Sequence, residues 1–136
     1  MKFPAAPILL ASLGVAAVVL AGCSDDATQR TEAHYCTEVG NHISDLNAPV
    51  VATQADIDRV LKSWRTVSGS APLAIQPEWE VVVNNVETAS TVDPADPASL
   101  QKVADTARAS EQASNRVIAY TMARCGAQIG TPPAAP

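Results

Sequence analysis

The sequence predicts an all-α fold, a small antiparallel bundle of four to five helices. Two observations carry that expectation. Apolar residues recur at steps of three and four along stretches between Ala33 and Cys125, the spacing of one helix face rather than of a strand. Between the stretches stand residues that stop or start helices: Pro49, Gly69, Pro72, Pro77, Asp96-Pro97 and Gly126. One folded domain is expected over residues 34–129.

The first helix is expected from Ala33 to Asn47, with Cys36, Val39, Ile43 and Leu46 as its stripe. Pro49 ends it, because the residue before proline avoids helical backbone angles. Thr53 can cap a second helix, and Asp56 three residues on gives a capping-box pattern. Ile57, Val60, Leu61, Trp64 and Val67 form the inward stripe, Asp58 and Lys62 pair outside, and Gly69 ends the helix.

Ala71 to Gln76 reads as a connector, and Pro77 suits the first turn of a third helix, where its missing N–H goes unbonded anyway. Glu78 and Glu80 favour the positive end of that helix dipole. Val81-Val82-Val83 is strand-like in isolation, yet Trp79, Val82, Val83, Val86 and Ala89 keep helical spacing. After a loop at Thr91–Ala95, Asp96-Pro97 opens the last segment, Ala98 to Cys125. Leu100, Val103, Ala104 and Ala107 make one stripe; Val117, Ile118, Thr121 and Cys125 make another. The polar run Ser110–Asn115 between them predicts two helices jointed near Ala109–Ser110, with one long bent helix as the alternative.

The amino-terminal residues belong to no such pattern. Met1 and Lys2 give a positive start, and Ile8 to Leu20 is an uncharged apolar run. Its length fits the roughly 7–15 residues of an export signal and falls short of the roughly 20 of a spanning helix. Leu20-Ala21-Gly22-Cys23 follows directly. This stretch resembles a lipoprotein signal peptide with its lipobox. The resemblance implies a diacylglyceryl lipid on the Cys23 thiol and cleavage between Gly22 and Cys23. Residues 1–22 would then be removed, and the rest displayed on the outer face of the plasma membrane. An ordinary secretory signal is the alternative. Residues 23–33 then read as a lipidated terminus and flexible tether, and residues 130–136 as a Pro/Ala-rich tail.

With Cys23 assigned to lipid, Cys36 and Cys125 remain, near opposite ends of the domain. Outside the cytoplasm disulfides persist, so a bond joining the first and last helices is expected. Two buried free thiols or a nucleophilic cysteine are the alternatives. Losing Lys2 from the nine basic residues while keeping all 14 acidic ones leaves a mature net charge of about −6. Such a surface argues against nucleic acid, which is bound by displacing counterions with Lys and Arg. It also argues against docking on anionic head groups through basic residues.

Tyr35-Cys36, Pro77-Glu78-Trp79, the Asp-Pro loop, Arg116-Val117-Ile118-Ala119-Tyr120 and Arg124-Cys125-Gly126 together resemble small helical lipoproteins of high-GC Gram-positive bacteria. That resemblance implies address and architecture, not chemistry. His34, Glu38, His42 and Asp45 share one face of the first helix and are metal-ligand types, with Glu38, His42 and Asp45 the weak metal candidates. His34 and His42 stand about 12 Å apart at the helical rise and cannot share an ion, and the face is expected to be solvated. Trp64 and Trp79 could wall a ligand groove or fill the core. Serine-hydrolase elbow, zinc-protease, phosphate-loop and dinucleotide motifs are all missing. The expected function is a non-enzymatic binding or interaction module of the cell envelope, needing no cofactor and meeting a protein partner or a small apolar ligand. An envelope enzyme or metal protein is the remote alternative.

Overall fold

The computed structural model describes residues 29–130. The expected signal segment, the expected cleavage at Gly22 and lipidation at Cys23, and most of the expected tether and tail lie outside them. The described part is five helices: α1 Glu32–Asn41, α2 Ile43–Asn47, α3 Gln54–Ser70, α4 Gln76–Ser90 and α5 Pro97–Cys125.

Local chemistry accounts for most boundaries. The Thr31 hydroxyl accepts from the His34 N–H at 3.2 Å and starts α1. The helix expected over 33–47 is instead broken at His42, which ends α1 and begins α2. Gly40 and Asn41 just before the break are poor helix formers. Thr53 and Asp56 form the complete capping box of α3, each side chain accepting from the other's backbone N–H. Pro77 sits in the first turn of α4, and Gly126 closes α5 with a left-handed φ of 63°, its N–H donating to Met122.

The joint expected near Ala109–Ser110 is absent: α5 is one helix of 29 residues, about 43 Å long at the helical rise. Ser110 caps nothing. It is 3% exposed, and its hydroxyl donates to the Ala107 carbonyl at 2.9 Å within the same helix. The inward face of α5 runs Val103, Thr106, Ser110, Ala113, Val117, Thr121, uninterrupted through the polar stretch. Leu100, Ala104 and Ala107, expected to face inward, are exposed.

The core gathers around Trp79, which is fully buried between Tyr35 of α1 and Trp64 of α3 in edge-on contacts of 6.3 and 5.9 Å. Val39, Leu46, Val67, Ala71, Ile75, Val82, Val117 and Ile129 complete it. Its one polar knot joins three helices. The Trp79 indole N–H donates to the Tyr35 hydroxyl at 3.1 Å, and that hydroxyl lies 2.5 Å from the Thr121 hydroxyl. Thr121 in turn donates to the Val117 carbonyl at 2.7 Å. Since Thr121 has spent its proton and the indole can only donate, Tyr35 must donate to Thr121 and accept from Trp79. Burial, partly offset by those two hydrogen bonds, pushes the Tyr35 phenol above its usual 10.0.

Cys36 and Cys125 are bonded, joining the first and last helices across a separation of 89 residues. The alternatives of free thiols or a nucleophile end there. A loop of that length corresponds to roughly 4–5 kcal/mol in the chain-entropy model.

Replacing Tyr35 with Phe removes the acceptor of a fully buried indole N–H while leaving Thr121 bonded to Val117. We expect a loss of about 1–3 kcal/mol, read as a fall of roughly 4–8 °C in Tm for each kcal/mol by calorimetry. An unchanged melting temperature would show that the knot is energetically idle.

Candidate functional site

Three helices and the segment after Gly126 border a cleft of about 260 Å³. Trp64 of α3 and Val82 of α4 form its inner wall, and Val117 and Ile118 of α5 the facing one. Ile129 and Gly130 close one side, while Glu111, Ser114 and Asn115 supply a polar edge along α5. The cleft is therefore apolar within and hydrogen-bonding at one margin, the combination usual in small-molecule and anchor-residue sites.

Each wall has an identifiable hold. The Trp64 indole N–H donates to the Asp45 backbone carbonyl at 3.2 Å, so its ring is pinned from outside the cleft. After Gly126 reverses the chain, Asn47 grips the returning segment at two points. Its side-chain N–H donates to the Gln128 carbonyl at 2.9 Å, and its side-chain oxygen accepts from the Gly130 N–H at 2.7 Å. That grip delivers Ile129 to the core, 3% exposed. Gly130 has φ 61°, and a Cβ there would lie 3.3 Å from the Ile118 side chain. Glycine satisfies both constraints at once.

Of the two tryptophans singled out by sequence, only Trp64 borders this cleft. Trp79 is 0% exposed and bonded to Tyr35, so it belongs to the core and walls nothing. Sequence reasoning missed Ile129, Gly130 and the polar edge at Glu111, Ser114 and Asn115. The available signal was the polar run in the last helix, which reads equally well as a joint.

The metal candidates are not brought together. His34, Glu38, His42 and Asp45 are all half-buried, so the expectation of a solvated face fails. That face turns toward α3: His34 and Glu38 border a shallow groove with Arg65, Thr66 and Ser70. Glu38 and His42 pair at 3.5 Å, but Asp45 turns to α3, accepting from the Ser63 hydroxyl at 2.7 Å and from Arg59. Among the described residues no three His, Cys, Asp or Glu side chains are grouped to hold an ion. α1 packs against α3, α4 and α5 and turns its polar face to α3, which a single helical projection does not reveal.

The hydrogen bond from Ser63, then Arg59, holds the Asp45 carboxyl below its usual 3.8. Its contribution to stability is thus complete above pH 3.8 and is lost as the pH falls through the lower folded value. Asp56 and Glu78 are lowered in the same direction, by Thr53 and Arg116 respectively. We expect Asp45→Asn to be less stable than the native protein at neutral pH and to lose less on acidification below pH 3.8. Urea midpoints across that range check the sign, and parallel pH curves would contradict it.

Comparison with protein-family models, with curated proteins and with solved structures finds no match to this chain. The cleft must therefore speak through its own chemistry. Asn47→Ala releases both bonds of the chain end, at a cost of about 1–3 kcal/mol. Faster amide exchange at residues 128–130, with α4 unchanged, is the expected signature. Uniform acceleration would mean that Asn47 supports the whole bundle instead.

Proposed function

We propose that the chain is an extracytoplasmic lipoprotein of the cell envelope whose helical domain is a non-enzymatic binding module, with the Trp64 cleft as its recognition element. The observation carrying the binding half of this reading is the cleft itself, about 260 Å³, aromatic-walled and apolar, with one polar edge. Its volume lies below the roughly 300 Å³ at which small-molecule sites begin. That size suits one anchoring apolar side chain of a protein partner, since a buried aromatic or aliphatic anchor carries most of the energy of such contacts. The position between helices also favours a second reading, a carrier of a small apolar molecule.

The address rests on the charge-free Ile8–Leu20 run followed by Leu20-Ala21-Gly22-Cys23. No helix among the described residues is long and apolar enough to cross a membrane. On this reading the membrane is reached through lipid on Cys23.

Two measurements on the full chain, expressed in a bacterium that processes lipoproteins, test the halves separately. The amino-terminal peptide should carry acyl chains on Cys23, and Cys23→Ala should shift the protein out of the membrane fraction. A photo-crosslinking residue placed at Asn115, on the cleft edge, should capture a discrete protein partner in intact cells. Capture of lipid or metabolite alone would favour the carrier, and a product identical to that from a crosslinker at exposed Gln101 would remove the cleft from consideration.

A further inference from the structure

The two most exposed large apolar side chains among the described residues stand at opposite ends of the bundle: Leu73 at 74% and Val50 at 75%. Leu73 lies on the loop between α3 and α4, flanked by Pro72 and Ala74, in a sequence with no charged residue from Thr66 to Pro77. Val50 lies between α2 and α3. Its neighbour Val51 borders Val86 and Ala89 near the far end of α4.

The chain enters the bundle at the Leu73 end. The Arg30 guanidinium donates to the Ala71 carbonyl at 3.2 Å, tying the residue just before α1 to the start of that loop. From Cys23 to Arg30 the chain can reach no farther than about 25 Å. A lipid on Cys23 therefore holds this end near the bilayer. Charge favours the same orientation. Three arginines, Arg30, Arg116 and Arg124, balance Glu32, Glu78 and Glu80 at the Leu73 end, with Arg124 paired to Glu32 and Arg116 to Glu78. At the other end Asp56, Asp58, Asp93 and Asp96 stand against Arg59 and Lys102. An acidic end is repelled by anionic head groups, and a neutral one is not.

We propose that the Pro72-Leu73-Ala74 loop docks on the lipid bilayer, with the Leu73 side chain entering the interfacial region and the acidic end pointing outward. The proposal rests on the Cys23 anchor. One leucine is too small to hold a free domain on a membrane, but tethering makes its insertion an intramolecular event at high effective concentration. The anchor supplies the attachment, and the loop fixes which way the domain faces. The Trp64 cleft is lined by residues of α3, α4 and α5 and by Ile129 and Gly130, none of them in the Pro72-Leu73-Ala74 loop.

The test uses the full chain, processed in a lipoprotein-producing host and reconstituted into vesicles of bromine-labelled phosphatidylcholine. Bromine quenches only indoles that enter the bilayer. Leu73→Trp and Val50→Trp each add one tryptophan at an exposed site, so neither disturbs the core. With Cys23 shown by mass to be acylated, emission added by Leu73→Trp should be quenched and that added by Val50→Trp should not. Equal quenching at both, at neither, or at Val50→Trp alone overturns the orientation and leaves the anchor standing. An unacylated Cys23 overturns the anchor and the orientation with it.

Discussion

The Tyr35 hydroxyl is the point from which the arrangement of helices follows. It belongs to α1, accepts from Trp79 of α4 and donates to Thr121 of α5. A dry hydroxyl with both partners fixed leaves α1 one rotation about its own axis. That rotation turns Cys36 onto α5 and His34 and Glu38 toward α3. An unpaired polar group at that depth costs about 1–3 kcal/mol, so slipping α1 by one residue is penalised at Trp79 and at the disulfide together. Hydrogen bond and covalent bond specify the same register by independent means, and such agreement between levels favours one structure over its near competitors.

Covalent clamp, aromatic cluster and polar knot all lie toward the end of the bundle where the chain enters. Away from it the structure thins. α1 and α2 are short, while α5 continues for 29 residues, and beyond Ser110 its outward stripe of Leu100, Ala104 and Ala107 has no cover. The cleft sits where one regime gives way to the other. α1 no longer fills the space between α3 and α5 there, and Ile129, delivered by Asn47, fills only part of it.

What the sequence discloses divides along a physical line. The capping box at Thr53 and Asp56, Pro77 in the first turn of α4 and the stop at Gly126 are local and were legible. So was the pairing of Cys36 with Cys125, expected from the two thiols that remain once Cys23 is set aside. The errors arise where a polar side chain is buried because a distant or intrahelical group satisfies it. Ser110 and Thr121 bond carbonyls of their own helix and face inward, so an apolar pattern reads a gap where the helix is continuous. Tyr35 is missing from the expected α1 stripe for the same reason: its hydroxyl is satisfied by residues 44 and 86 positions away. Asp45 was read as a solvated ligand type because its partners Arg59 and Ser63 lie on another helix.

That division bears on the cleft. The cleft combines Trp64, visible as an aromatic on an apolar stripe, with Ile129 and Gly130, whose role depends on the chain doubling back after Gly126. Three of its sides come from helices rooted in the clamped core. The fourth is the irregular segment after Gly126, held among the described residues by Asn47, by burial of Ile129 and by Ala127 against the core. Segments with few buried contacts open at lower free energy than the elements they lie against. Motion at this site should therefore be asymmetric, with Ile129 and Gly130 yielding while Trp64, Val82 and Ile118 stay fixed. An occupant larger than about 260 Å³ would be accommodated by displacing Ile129 and Gly130, not by spreading the helices that the disulfide and Tyr35 hold together.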